Sequence, residues 1–142
     1  RINAISMFIV PRVLEITMNN GVDPRSGRHL GPKTGDFESF NTFDDFMRAF
    51  KTQFTHFLGL AAEFQNILLI AQTETTPDSF QSSLMTDSTV VGRDILDRTM
   101  PFENGSSLNP VGMINTVDSL AGLKKLVFDE KEITKKRKFA EH

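Results

Sequence analysis

Between Phe43 and Leu68 an apolar residue recurs at every third or fourth position: Phe43, Phe46, Met47, Phe50, Phe54, Phe57, Leu58, Ala61, Phe64 and Leu68. That period lays a continuous apolar stripe along a helix of about 30 residues. Thr42 and Asp45 precede it with the spacing of a capping box, Asp replacing the usual Glu, so the helix is expected to start there. Arg48, Lys51, Gln53 and Glu63 are expected on the opposite face. A stripe this long needs a large body to pack against. The aromatic composition agrees, because the thirteen Phe, with neither Tyr nor Trp, are pure packing groups.

Upstream, Ile2 to Asn20 reads as a helix in which Ile5, Phe8, Ile9, Val13 and Ile16 share a face, with Pro11 kinking or restarting it. Asn20-Gly21 suits its C-terminal end, since both residues tolerate the left-handed conformation. Residues 21–37 then form a long loop whose Gly21, Pro24, Gly27, Gly31, Pro32 and Gly35 mark successive turns. A loop of that length inside a compact domain is a functional element or a structural clamp.

Downstream, Pro77 breaks the pattern, and Ser79 to Met85 and Val90 to Leu96 read as two short helical pieces. From Met100 to Ile114 the helical period disappears, and Pro101, Gly105, Pro110 and Gly112 predict an extended, strand-like piece near 100–114. Asn115 or Thr116 is expected to cap a final amphipathic helix that buries Val117, Leu120, Leu123, Leu126 and Val127 and ends at the charged cluster Asp129 to Glu132. Thr134 opens one more helix whose first turn carries Lys135, Lys136, Arg137 and Lys138. No repeat and no inter-domain linker is visible.

Composition narrows the function classes. A formal net charge of -2 points to no polyanionic partner, and a four-residue basic turn without aromatic interleaving is a solvated helix face, so nucleic acid is not expected. The longest uninterrupted apolar run, Ile67 to Ala71, falls far short of the roughly 20 residues that span a bilayer, which excludes a membrane span on this reading. There is no cysteine and no leader-like N-terminus, so a cytoplasmic setting is the default. His29, His56 and His142 lack the spacing of metal ligands. The Gly-rich loop follows a predicted helix, whereas phosphate and dinucleotide loops follow a strand.

Glu103 is the candidate for chemistry. In Met100-Pro101-Phe102-Glu103-Asn104-Gly105 it is flanked by apolar and turn residues with no adjacent base. A buried carboxyl there, its pKa raised by desolvation, could transfer a proton near neutral pH. Taken alone, the segment fits an exposed turn glutamate better, since most carboxylates are surface groups.

The run Asn19-Asn20-Gly21-Val22-Asp23-Pro24-Arg25-Ser26-Gly27-Arg28-His29-Leu30-Gly31-Pro32-Lys33-Thr34-Gly35 resembles the loop of glycyl radical enzymes. With Phe40 to Phe46 and Asp118 to Phe128, the resemblance to the pyruvate formate-lyase-like superfamily spans nearly the whole chain. It implies an α/β fold, a ten-stranded barrel surrounded by helices, of which residues 1–142 are an incomplete internal segment, mainly α-helical. These enzymes work through a cysteine thiyl radical generated by a glycyl radical. The resemblance therefore places the cysteine and its neighbouring glutamate before Arg1 and the glycine loop beyond His142, and implies that this chain alone binds no cofactor, is inactive and self-associates.

Many of these enzymes carry a stretch similar to Ala-Arg-Tyr-Asn where Phe102 and Glu103 stand here in place of Arg and Tyr. With Asn109-Pro110-Val111-Gly112-Met113-Ile114-Asn115, the segment looks most like the arylacetate decarboxylase branch, in particular the catalytic subunits of 4-hydroxyphenylacetate decarboxylases. That likeness assigns Glu103 the substrate's phenolic proton and makes Phe102, Asn104 and Asn109 pocket candidates. It implies a small arylacetate substrate, a radical S-adenosylmethionine activating enzyme, a small iron-sulfur subunit, and a homodimer or higher oligomer. The rival expectations are a diol dehydratase or carbon-carbon lyase of the same superfamily, and a non-catalytic helical interaction module.

Overall fold

The computed structural model describes residues 3–95, 97 and 106–131. They run in the order β1 (Asn3–Ile9), α1 (Val10–Met18), a 3-10 turn (Phe37–Ser39), α2 (Phe43–Thr75), α3 (Ser79–Leu84), α4 (Thr86–Val91), β2 (Ser106–Val111), α5 (Met113–Leu123) and a π-helical turn (Lys124–Asp129). The expected class holds: the segment is mainly helical with one short strand pair, β1 against β2.

Packing divides the chain into two units. One takes the described residues up to Phe8 and from Leu60 to Asn109, the other Ile9–Gly59 and those from Pro110 onward. The division falls inside α2.

The first unit holds β1 as far as Phe8, β2 as far as Asn109, the distal part of α2, α3 and α4. Asp78 caps α3 by accepting from the backbone N–H of Gln81 at 3.1 Å. The second short helix is Thr86–Val91, not Val90 to Leu96: Gly92 takes a left-handed φ of 69° and stops it where continuation was expected. In the distal part of α2, Gln65 and Leu69 are buried while Phe64, Ile67 and Ile70 remain exposed.

In the second unit the capping box forms as expected. Thr42 N–H donates to Asp45 Oδ2 at 3.1 Å, and Asp45 N–H donates back to Thr42 Oγ1 at 3.2 Å. Phe46, fully buried, sits in a ring cluster with Phe37, Phe40, Phe43 and Phe128, at centroid distances of 5.3, 5.7, 6.5 and 6.3 Å. The π-helical turn carries Phe128 into that cluster, closed by Glu130 N–H donating to the Lys125 carbonyl at 2.8 Å.

Three expectations need correction. The segment before α1 is a strand: Pro11 lacks an N–H and is tolerated only in a first turn, so the helix starts at Val10 and Asn3–Ile9 are free to pair with β2. The last helix begins at Met113, capped by Gly112 with φ 76°; Thr116 lies inside it and turns its hydroxyl onto the Gly112 carbonyl at 3.0 Å. Its buried residues are Thr116 and Val127, whereas Val117 is exposed. Gln53 does not face solvent but is fully buried.

Among the described residues α2 is long and apolar enough to cross a membrane by length and mean hydropathy (1.3), although no uninterrupted apolar run in it is. Lys51, Gln53, His56, Glu63 and Gln65 interrupt its apolar course, and its proximal half is held by protein contacts.

Candidate functional site

The second unit is organised around the loop between α1 and α2. Its first residues close α1: Asn20, in the left-handed region at φ 52°, donates its N–H to the Thr17 carbonyl, and Gly21 donates to Ile16 at 2.9 Å. This is the Schellman arrangement, with Asn at the position that usually takes Gly. The chain then folds back, Val22 bridging His29, and both Leu30 and Gly31 donate to the Gly21 carbonyl at 2.9 and 3.0 Å.

Two amide side chains fasten the returning strand of the loop. Asn20 Oδ1 accepts from the N–H groups of Thr34 and Gly35, each at 2.9 Å, while its Nδ2 donates to Asp36 at 3.1 Å. From α2, Gln53 Nε2 donates to the Pro32 carbonyl at 2.6 Å and to Thr34 Oγ1 at 3.1 Å. Gln53 Oε1 accepts no hydrogen bond among the described residues and lies against Gly31, where an added Cβ would come within 2.0 Å of it. Gly31 is thus required by close approach.

Electrostatics hold the loop's other end. Asp23, largely buried, accepts from Ser26 Oγ at 2.7 Å and from Arg25 N–H at 3.2 Å, and pairs with Arg12 of α1, which also pairs with Glu15. The Ser26 hydroxyl first, then the Arg25 N–H and the Arg12 guanidinium, hold the Asp23 carboxyl below its ordinary value against the opposing effect of burial. Beside the loop's clamp, Val10, Met47, Phe50, Phe54, Met113, Thr116, Val117 and Leu120 line a groove of about 350 Å³ with Lys51 and Thr55. Its walls offer an apolar group van der Waals contact but no pair of titratable side chains, so they carry binding rather than proton transfer.

Of the residues expected to do chemistry, Phe102, Glu103 and Asn104 lie outside the described residues, as does the basic turn at 135–138. Asn109 lies on β2 and is exposed. It belongs to the first unit, the clamped loop to the second. His29 and His56 are exposed, and no group of three or more metal-ligating side chains forms among the described residues. Sequence reasoning missed Gln53 as an anchor. Its spacing carried the signal: Gln53 falls three residues after Phe50 and seven after Phe46, within the buried stripe.

The loop and helix pattern recurs in known proteins. The chain is 31% identical over 121 residues to the (2S)-3-sulfopropanediol dehydratase of Klebsiella oxytoca, covering 85% of this chain and 14% of that protein. It is 25% identical over 123 residues to the indoleacetate decarboxylase of Tractidigestivibacter scatoligenes, covering 87% of this chain and 14% of that one. Among solved structures, the B12-independent glycerol dehydratase from Clostridium butyricum superposes with a TM-score of 0.81 and 36% identity, over 91% of this chain and 16% of that chain. The chain thus spans a small part of the length of each relative. The sequence pattern of the family described as pyruvate formate lyase-like matches residues 2–139. With nearly every residue inside that match and the loop folded on its own internal clamps, the chain belongs to the pyruvate formate lyase-like family.

Proposed function

We propose that this chain is a segment of a glycyl radical lyase that eliminates a leaving group from a small hydroxylated substrate. The observation that carries this reading is the likeness to two dehydratases at 31% and 36% identity, against 25% to a decarboxylase. In such an enzyme the protein-borne glycyl radical, acting through a cysteine supplied by another part of the polypeptide, provides hydrogen-atom abstraction. This chain, which has no cysteine, contributes scaffold and pocket. Glu103 is assigned the proton transfer that lets an oxygen leave, Phe102 the exclusion of water, and Asn104 and Asn109 the orientation of substrate polar groups.

A second reading, decarboxylation of 4-hydroxyphenylacetate or a related arylacetate, is favoured by Phe102-Glu103, where Arg and Tyr are common in the superfamily. Glu103 would then hold the phenolic proton. Either way the complete polypeptide is proposed to act in the cytoplasm as a homodimer or higher oligomer, activated by a radical S-adenosylmethionine enzyme. The decarboxylase reading adds a small iron-sulfur subunit. Leu58, Leu60, Phe64, Ile67 and Ile70, exposed along α2, are then the faces covered by the rest of that polypeptide.

The test is product analysis under anaerobic conditions, with the full-length enzyme, its activating enzyme, a 1,2-diol and 4-hydroxyphenylacetate. An aldehyde from the diol supports elimination; a methylated phenol and carbon dioxide would replace it with the second reading. An isolated full-length gene product that forms no radical and turns over neither would leave a binding module.

A further inference from the structure

The tightest part of the loop contains Asn20-Gly21, a dipeptide with an intrinsic chemistry that neither proposed reaction uses. In an unrestrained Asn-Gly pair the glycine nitrogen gives up its proton to water and bonds to the asparagine Cγ. The Cγ–Nδ2 bond breaks, ammonia leaves, and a five-membered succinimide remains. Water then opens the ring to aspartate or isoaspartate. The reaction needs water alone, and glycine favours it because no Cβ obstructs the attacking nitrogen.

The fold opposes each requirement. The Gly21 N–H is committed to the Ile16 carbonyl at 2.9 Å, so the nucleophile is both protonated and aimed into α1. The Gly21 carbonyl accepts from Leu30 and Gly31, which holds the next peptide group and so restricts rotation about the glycine that carries the attacking nitrogen. Asn20 is held at φ 52°, with its Oδ1 bound by two backbone N–H groups and its Nδ2, the leaving group, donating to Asp36. Ring closure requires the side chain to leave all three partners and Gly21 to leave Ile16.

We infer that Asn20 is a deamidation site that the closed loop protects and that reacts when the loop opens, making Asn20-Gly21 a one-way latch. The product cannot rebuild the clamp. A carboxylate at position 20 has lost the donor that faced Asp36 and stands as a like charge about where that donor was, and isoaspartate also reroutes the backbone through the side chain. Each opening that ends in reaction therefore leaves the loop between α1 and α2 permanently loosened. The inference stands independently of which reaction the enzyme performs.

The test is peptide mapping by mass spectrometry of the full-length polypeptide carrying this segment, which separates Asn20 from the other Asn-Gly pair, Asn104-Gly105. A synthetic peptide of residues 17–25 supplies the unprotected rate. Conversion of Asn20 in the native protein at least about tenfold slower than in the peptide, and rising to the peptide rate in urea, is the expected result, since local opening sets the reactive fraction. Asp36→Ala should raise the native rate. Asn20→Asp should make the exposed Arg25, Arg28 and Lys33 bonds more sensitive to trypsin while the circular dichroism of the helices is retained. A native rate equal to that of the peptide, in protein shown to be folded, overturns the protection. An inert Asn20 in urea overturns the site, and unchanged trypsin sensitivity of Asn20→Asp, or of the deamidated wild-type fraction should that variant not fold, overturns the latch.

Discussion

Gln53 Nε2 lies 2.6 Å from the Pro32 carbonyl, joining the first third of a 33-residue helix to a loop 21 residues earlier in the chain. The loop has few side chains of its own to bury, so its position depends on this amide and on Asn20 rather than on a hydrophobic core. Removing the amide leaves the Pro32 carbonyl without that donor and opens space around a fully buried side chain.

Gln53→Leu should therefore destabilise the second unit by about 2–4 kcal/mol, combining a lost buried hydrogen bond with imperfect refilling. Gln53→Glu, nearly isosteric, should be at least as harmful, because a carboxylate would face the Pro32 carbonyl. Urea titration of the full-length protein, with the loop's proteolysis as a local probe, checks both.

Glycine substitutions should separate by place. A Cβ at Gly31 would stand 2.0 Å from Gln53 Oε1, and at Gly21, with φ 83°, 2.6 Å from the carbonyl oxygens of Gly31 and Pro32. Alanine at either position should cost several kcal/mol or force the loop off α2. Gly59, inside α2 with nothing within 4 Å of its would-be Cβ, should behave oppositely, Gly59→Ala stabilising by about 0.5–1 kcal/mol. Thermal midpoints of the three variants decide the order.

Acid should loosen the loop and the start of α2 first. Asp45 is held below its ordinary value of 3.8 by the Thr42 hydroxyl and N–H and by Arg48, as Asp23 is by Ser26, Arg25 and Arg12. A carboxyl with a depressed folded pKa contributes stability that is present above its unfolded value and lost as pH falls through the folded one. Protection of the Thr42, Asp45, Arg25 and Gly27 amides against hydrogen exchange, taken relative to the intrinsic rate at each pH, should accordingly fall below pH 3.8, and Asp23→Asn with Asp45→Asn should flatten that dependence. Equal pH response in the double variant would remove these carboxylates from the account.

Phe46→Ala should be among the most destabilising single changes, by about 3–5 kcal/mol, because the fully buried ring touches four other phenylalanine rings. Phe64→Ala, at a residue that is 59% exposed, should change the stability of the isolated segment little. In the full-length polypeptide it should cost more, because that face is proposed to be covered there. Parallel denaturation of both variants in both contexts measures the difference.

Glu103→Gln in the full-length enzyme should lower kcat by about 10²–10⁴ while leaving radical formation intact, the range for loss of one proton-transfer group. Electron paramagnetic resonance quantifies the radical, and product assays give the rate. Full turnover in this variant would move the proton transfer to another residue.

How much of this was legible beforehand follows from the range of the forces involved. The start of α2 at Thr42 and Asp45, the left-handed end of α1 at Asn20-Gly21 and the break at Pro77 are local matters of capping and backbone sterics, and spacing alone revealed them. So did the family, because the loop's order of Gly, Pro and Asp residues is read without knowing what it touches. Tertiary structure decided the rest. Asn3–Ile9 became a strand because β2, about a hundred residues later, supplied hydrogen bonds that no local pattern could announce. Gln53 turned inward because a loop carbonyl met it, and in the absence of that carbonyl an amide on a helix belongs in water. Long-range pairing of backbone and amide groups has no sequence period, and it is this pairing that sets the position of the loop.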